Sequence, residues 1–376
     1  MKILNVINFI DPYKGGGSVE RVCLLSHYLT KLGNEVTIVS TKKGNHKKQK
    51  KRFSNVNFVL FNYISDRYMI PINCISWIKK NINNYDIVHL SMNWTIINVI
   101  FYFLLKSVNK SYYFSAMGWL KIDGNNKLLK KLYFIFFTKK IAINAKKCIA
   151  VSQREFEEYL KLGVPKKNIL LIPNGLDTSI DQSAISSNLF LKKFNLSKKK
   201  IILFLGRYDY IKGTDILIEA FAKFNNVNKN IYQLVLVGFN DEFKKKLLAL
   251  SKKLFLSDEI TFINPIIGDL KYSAYKSANI FIIPSRFDTM TIVALEAALF
   301  ELPIIYTSQC NFPELAKANG GIEVNADNNS IYKALLSLSR NPKKIKKLGQ
   351  NAKKFVVKNY SWEIISKIFL NEFIDK

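Results

Sequence analysis

Short apolar runs alternate with longer amphipathic stretches from one end of the chain to the other. Runs rich in Ile, Val and Leu read as strands buried on both faces, and the stretches with apolar residues every third or fourth position read as the helices that cover them. In the first half the pattern predicts strands at residues 3–7, 36–40, 57–60, 87–90, 112–115 and 148–151, with helices in the gaps. The second half repeats the plan, with strands at 201–205, 233–237, 260–263, 280–283 and 304–307 and helices beginning near Thr214, Asp241, Leu270, Thr291 and Pro313. Strand–helix–strand alternation implies parallel pairing, so the predicted fold class is α/β with two independent doubly wound sheets.

Length supports two domains, because 376 residues at 48% hydrophobic suffice for two separate cores. The stretch 172–177 (IPNGLD) joins a proline to an Asn-Gly turn, and 178–195 shows little periodicity. The predicted organisation is therefore an N-terminal domain over 1–172, a linker over 173–195, a C-terminal domain over 196–358 and a last helix over 359–376. The lysine run at 42–52 (KKGNHKKQKKR) is expected to be a solvated loop.

Charge adds a question about partners. The net charge of +29 comes from 57 Lys and Arg against 28 Asp and Glu, which suits a polyanion. Most of the cations are lysines in a chain also rich in Asn and Ile, a bias that an AT-rich coding sequence would produce by itself. Lysine is a point charge without a bidentate fork, so an anionic membrane surface fits better than base readout, and no nucleic acid is expected. The segment 127–147 (KLLKKLYFIFFTKKIAINAKK) mixes lysines with Leu, Tyr and Phe. It reads either as a helix lying in a membrane interface or as a sheet-packed helix with snorkelling lysines. The longest apolar run, 96–105, is well short of the ~20 residues that cross a bilayer. Cys23, Cys74, Cys148 and Cys310 form no CxxC pair, and no small-residue cleavage site follows the first ten residues. The expected location is cytoplasmic, with reduced thiols, peripheral on the inner face of the cytoplasmic membrane if 127–147 docks there.

Three constellations carry candidate chemistry. Gly15, Gly16 and Gly17 follow the first strand at the mouth of a helix, where backbone N–H groups and the dipole suit phosphate; the spacing matches neither a dinucleotide fingerprint nor a Walker loop. Gly206-Arg207 ends a strand and Lys212-Gly213 precedes a helix, so two cations stand where a diphosphate leaving group could be neutralised. The run 284–297 (PSRFDTMTIVALEA) places Asp288 in the turn after a strand and Glu296 about two helical turns on, as acceptors for sugar and ribose hydroxyls. Each feature alone also reads as ordinary structure: a flexible loop, surface cations, an ion pair on a core helix.

Taken in order, these residues resemble the retaining GT-B glycosyltransferases of glycosyltransferase family 4. Pro173-Asn174-Gly175-Leu176-Asp177, Asp86-Ile87-Val88-His89, Ala150-Val151-Ser152 with Glu155, and Tyr360-Ser361-Trp362-Glu363 extend the resemblance over nearly the whole chain. It implies a GT-B fold, two Rossmann-like domains facing a central cleft, with the last helix crossing back to the N-terminal, acceptor-side domain. It implies a retaining hexosyltransferase that uses a UDP- or GDP-sugar as substrate, with no cofactor and no metal. Arg207 and Lys212 would hold the donor diphosphate beside Gly16, Gly17 and Gly206. Glu296 would bind the ribose, and Asp288, where the first Glu of an E-x7-E motif is usual, the donor sugar. Thr289, Met290 and Thr291 complete the donor loop, with Thr289 and Thr291 replacing glycines. Met117-Gly118, in a segment of the form S-P-H-G-M-L, puts methionine where a donor-contacting histidine is frequent. His89 is a further candidate on the acceptor or donor-sugar side. The implied acceptor is a glycan or lipid-linked glycan of bacterial surface polysaccharide synthesis, such as O-antigen, capsule or lipopolysaccharide. A weakened nucleotide-binding module, a GT-B epimerase and a phosphorylase are the alternatives; a phosphorylase would need a pyridoxal-phosphate lysine and a longer chain.

Overall fold

A computed structural model describes the chain apart from residues 119, 121, 123–125, 197–198 and 375–376. It divides into two compact units, Met1–Gly175 with Trp362–Lys376, and Leu176–Ser361. Each is a doubly wound sheet with helices on both faces, because parallel strands carry apolar side chains on both sides and both must be covered.

In the first unit, β1 (Lys2–Val6), β2 (Glu35–Thr41) and β3 (Asn57–Phe61) are followed by a short antiparallel hairpin, β4 (Tyr63–Ile64) and β5 (Ile70–Pro71). Then come β6 (Ile87–Ser91), β7 (Tyr113–Ser115), β8 (Lys147–Ala150) and β9 (Ile169–Leu171). Seven of these form one parallel sheet in the order β3-β2-β1-β6-β7-β8-β9. Side chains alternate between faces: Ile3 joins the cluster of Val22, Leu25 and Leu29 from helix Gly16–Lys31 and Trp362 and Phe369 from helix Trp362–Ile374. Leu4 joins Ile97, Phe101 and Leu105 from helix Ile96–Ser107 on the opposite face.

The second unit holds β10 (Lys200–Leu205), β11 (Tyr232–Val237), β12 (Ile260–Ile263), β13 (Ile280–Ile283), β14 (Ile304–Thr307) and β15 (Gly321–Val324). Its parallel order is β12-β11-β10-β13-β14-β15. Helices begin at Thr214, Asp241, Asp269, Ile292 and Pro313, each within one residue of the start that periodicity predicts.

Four strands escape the pattern. β9 is only three residues long, the β4–β5 pair is a local excursion, and β15 opens at Gly321 after Gly320 and carries Glu323, so no apolar run announces it. The expected loop at 42–52 is corrected: His46–Arg52 is a helix. Lys, Gln and Arg are good helix formers, and the segment is held by the two-pronged Arg52–Glu20 pair at 2.7 and 2.8 Å.

Where the chain leaves the first unit and where it returns, the two segments run side by side. The Leu176 N–H donates to the Tyr360 carbonyl at 2.6 Å, and Leu176 pairs in parallel with Ser361. Only glycine fits at 175, since a Cβ there would lie 2.3 Å from the Trp362 ring. Arg21, 1% exposed on helix Gly16–Lys31, donates to the carbonyls of Pro173 (2.6 Å) and Ile172 (2.9 Å) and to Asn174 Oδ1 (2.9 Å). Its guanidinium lies 5.9 Å from the Trp362 ring centre. Burial lowers its pKa to about 10, opposed by the nearby Glu155 charge, so it stays cationic at neutral pH. Arg21→Met is expected to destabilise the first unit by about 2–4 kcal/mol, because three enclosed acceptors lose their donor. Urea unfolding followed by tryptophan fluorescence measures this; an unchanged midpoint would mean the clamp contributes nothing.

Candidate active site

The strand order of the second unit reverses between β10 and β13, and at such a switch point the loops leaving the two strands diverge and open a crevice at their carboxyl ends. The β10 exit loop carries Gly206, Arg207, Lys212 and Gly213, and the β13 exit loop carries Asp288, Thr289, Met290 and Thr291. Topology therefore brings the cationic pair and the acidic motif to one place.

Backbone bonds set the positions. The Gly206 N–H donates to the Val237 carbonyl at 3.0 Å, and the Tyr208 N–H to the Phe239 carbonyl at 2.9 Å. Buried Tyr208 anchors the turn through its hydroxyl on the Leu236 carbonyl (2.6 Å). Between these fixed points the Arg207 side chain is 43% exposed, 3.4 Å from Asp209. The Lys212 N–H donates to Asp209 Oδ1 at 2.8 Å, which closes the loop. Gly213, with φ at +66°, lets the loops approach: a Cβ there would lie 2.0 Å from the Pro284 carbonyl oxygen.

Across this contact Lys212 Nζ meets Asp288 Oδ2 at 2.6 Å. Asp288 is held on other sides by its N–H on the Gln309 carbonyl (3.0 Å), by Asn311 Nδ2 on its own carbonyl (2.6 Å) and by the Thr289 N–H on Oδ1 (2.9 Å). Arg286 braces the loops from behind, forked onto Asp215 at 2.8 and 2.6 Å and stacked 4.0 Å from the centre of the Tyr210 ring.

Helix Ile292–Leu299 starts immediately after Thr291, with no side-chain cap and no acidic residue in its first turn, so its N-terminal amides suit an anion. Glu296 lies about one and a half turns in, 7% exposed. Lys271 Nζ meets one of its oxygens at 2.6 Å, and the Tyr275 hydroxyl donates to the other at 2.8 Å. Burial, with the Glu296 charge added, raises the Tyr275 pKa, so the phenol stays a neutral donor. Lys271 and Tyr275 stand at i and i+4 on helix Asp269–Ser277, a spacing legible in sequence but meaningless until the partner is known. They are functional candidates that the sequence reading missed.

The first unit reverses its order between β1 and β6, and the glycine loop lies at that switch point. Asp11 ties it down: Oδ1 accepts from the N–H groups of Tyr13 (2.8 Å) and Lys14 (2.9 Å), and Oδ2 from that of Asn45 (2.8 Å). Gly16, with φ at +56°, faces open space, and helix Gly16–Lys31 begins without a side-chain cap. Gly17 follows it in the first turn.

His89 is not at the surface. It is 0% exposed in β6, with Nδ1 2.9 Å from Asn5 Oδ1 and Nε2 2.7 Å from Ser115 Oγ. Burial lowers its pKa to about 3, the Arg21 charge adding to it, so the ring is neutral and pins β1, β6 and β7 together. As a contact for acceptor or sugar it is withdrawn, because both nitrogens are used inside the core. Met117 is 8% exposed with φ at +56°, and Gly118 has φ at +83°. Trp119 lies outside the described residues.

Glu155 holds this turn in place. Fully buried, it accepts from the N–H groups of Gly118 (2.6 Å) and Val151 (2.7 Å), while the Tyr159 hydroxyl accepts from the Ala116 N–H at 2.8 Å. Burial raises its pKa from 4.5 to about 7, against the pull of its two amide donors. Among the described residues no group of three or more His, Cys, Asp or Glu is placed to hold a metal ion. Cys23, Cys74, Cys148 and Cys310 are all buried free thiols.

The raised Glu155 pKa has a sign that can be measured. Between about pH 4.5 and 7 the folded unit keeps a proton that the unfolded chain releases, so stability falls as pH rises across that window and levels off above it. The unfolding free energy of the wild type relative to Glu155→Gln is expected to fall by roughly 2–3 kcal/mol over that range. A difference that is flat with pH would mean that Glu155 titrates normally.

Residues 187–355 match the family model described as Glycosyl transferases group 1, and residues 15–180 match Glycosyltransferase Family 4. An uncharacterized glycosyltransferase of Methanocaldococcus jannaschii is 30% identical over 230 residues, 59% of this chain and 58% of that protein. An uncharacterized 41.2 kDa protein in the cps region of Klebsiella pneumoniae is 25% identical over 323 residues, 83% of each chain. Among solved structures, HepE of Anabaena in complex with UDP-glucose superposes with a TM-score of 0.81 at 16% identity, covering 99% of both chains. No helix among the described residues is long and apolar enough to cross a membrane. Two domain matches that between them account for both doubly wound units, each with its loops gathered at a switch point, make this chain a GT-B glycosyltransferase of the group 1/family 4 type.

Proposed function

We propose that the protein transfers a hexose or N-acetylhexosamine from a UDP- or GDP-sugar to a glycan or lipid-linked glycan, with retention of configuration, in bacterial surface polysaccharide synthesis. The observation that carries this reading is the Lys212–Asp288 pair at 2.6 Å, which joins the two exit loops at the switch point of the second unit. The Anabaena structure, which holds UDP-glucose, supports a nucleotide-sugar donor, and the relative in the cps region supports the polysaccharide setting.

In this reading the donor diphosphate lies against Arg207 and Lys212, near the uncapped start of helix Ile292–Leu299 and the Thr289–Thr291 amides. Glu296, oriented by Lys271 and Tyr275, accepts from the ribose hydroxyls, and Asp288 accepts from a sugar hydroxyl. During transfer the bond from the anomeric carbon to the diphosphate oxygen breaks, and the new bond forms to the acceptor oxygen, whose proton is released. The charge that grows on the departing diphosphate faces cations already in place, which lowers the barrier without reorganisation. Met117 stands where a histidine is frequent, and its side chain donates no hydrogen bond. The first unit supplies the acceptor side, and the transfer is proposed to take place at a membrane surface.

A thermal-shift panel of UDP, GDP and their sugars identifies the donor, since a ligand bound only to the folded state raises apparent stability. Release of nucleotide in the presence of glycan and lipid-linked acceptors, with the product anomer read by NMR, tests the transfer. Arg207→Ala and Lys212→Ala are each expected to lower kcat/KM about 100-fold or more. Glu296→Gln is expected to raise the donor KM about tenfold while kcat changes less. Nucleotide binding without release under any acceptor would instead favour a weakened binding module. Absence of any nucleotide-induced shift would sink the proposal.

A further inference from the structure

Residues 127–144 form one continuous helical run, α over Lys127–Tyr133, π over Phe134–Thr138 and α again over Lys139–Asn144. Its inward side is fully committed: Phe134 and Phe137 pack on the core, and Thr138, Ile141 and Ala142 are buried. Its outward side is apolar as well. Leu128 is 72% exposed, Leu129 57%, Ile135 50% and Phe136 54%, and on the neighbouring helix Ile96–Ser107 Phe103 is 52% exposed, its ring 6.3 Å from that of Phe137. The wider π turn leaves Ile135 and Phe136, adjacent in sequence, both facing out between two inward phenylalanines. One exposed leucine means little, but a run of large apolar side chains on one face marks a surface that something covers.

Charge chooses the occupant. Residues 126–147 contain seven lysines and no Asp or Glu. Lys127, Lys131, Lys139 and Lys140 are exposed along the same run as the apolar residues. A second copy of the chain would bring like charges together with no acid on the patch to offset them. An anionic bilayer surface accepts both parts, with apolar side chains at the headgroup boundary and lysines among the phosphates.

The run is also fastened to the exit loop of β6. The Tyr133 hydroxyl donates to the Thr95 carbonyl (3.0 Å), Thr138 Oγ1 to Asn93 Oδ1 (2.9 Å), and the Trp94 ring lies 5.3 Å from that of Tyr133. That loop is wound tightly, with positive φ at Met92 (+72°) and Trp94 (+61°). The segment that leads into the run is the exit of β7, with Met117 and Gly118.

We infer that the outward face of residues 127–144, with Phe103, docks flat on an anionic lipid surface and so holds the exit loops of β6 and β7 at the headgroup layer, where a lipid-linked acceptor presents its sugar. The inference rests on the acceptor-side role proposed above for the first unit. It goes further in naming the docking element and its mechanical connection to the exit loops.

The test uses the full chain and vesicles of phosphatidylcholine with or without phosphatidylglycerol. The wild type is expected to sediment with the anionic vesicles at low salt and not with the neutral ones. Two double variants, Leu132→Glu with Phe136→Glu and Lys127→Glu with Lys131→Glu, alter only exposed positions, and each is expected to lower partitioning about tenfold or more. Both should keep the wild type's far-UV circular dichroism and unfolding midpoint, which show that the first unit is folded, and the nucleotide-induced thermal shift, which reports on the second. Equal wild-type binding to both vesicle types, no binding to either, or double variants that bind as the wild type does would overturn the inference. So would a concentration-dependent dimer abolished by Leu132→Glu with Phe136→Glu, since the face would then be covered by a second copy. A wild type that binds anionic vesicles but no nucleotide would count against the proposed transfer and not against docking.

Discussion

Parallel strands covered on both faces leave no side of the sheet where polar chemistry can be done. In this protein every residue of β6 and β13 is buried, so catalytic and binding groups have to be carried by the loops that leave the strands. Those loops crowd together everywhere except where the strand order reverses, since there successive connections pass to opposite faces of the sheet and leave a gap. Each unit has one such reversal. The Gly206–Gly213 and Pro284–Thr291 loops leave the two strands at the reversal in the second unit, and the glycine loop leaves one of them in the first.

Once two loops share a gap, their separation decides what they can do together. Gly213 and the Pro284 carbonyl approach more closely than any side-chain-bearing residue would allow, and that approach brings Lys212 onto Asp288. The same loops are stiffened by Asp209, Asn311 and the Arg286–Asp215 fork, so the pair is part of a preorganised frame rather than two free surface charges. Glu296 shows the same logic in a buried setting. An isolated carboxylate on a helix as apolar as IVALEAAL would be costly, and Lys271 and Tyr275 offset that cost while leaving an oriented acceptor.

The polar groups inside the first unit serve geometry. Arg21 gathers the carbonyls of the segment through which the chain leaves the unit and lies near Trp362, where it returns. His89 and Glu155 use their hydrogen-bonding capacity within the fold, one across three strands and the other on the Gly118 turn. These buried groups contrast with the helical run at 127–144, whose outward apolar side chains no part of the described fold covers.

Periodicity alone determined most strands of both units and five helix starts of the second, because a strand buried on two faces must be an unbroken apolar run and its covering helix must repeat every three to four residues. It also showed Arg207, Lys212 and Asp288 at the ends of predicted elements, where chemistry belongs, and Glu296 on the helix that follows Asp288. It failed where short-range pattern carries no signal: at three-residue β9, at glycine-led β15 and at helix His46–Arg52, which charge disguised as a loop. Only the tertiary structure decided that His89 points into the core, that Lys271 and Tyr275 grip Glu296 from another helix, and that Glu155 bonds a turn 37 residues away. The reason is physical: a side chain's partner across the sheet is fixed by strand order and by the close approach of loops, and neither is encoded in the spacing of residues along the chain.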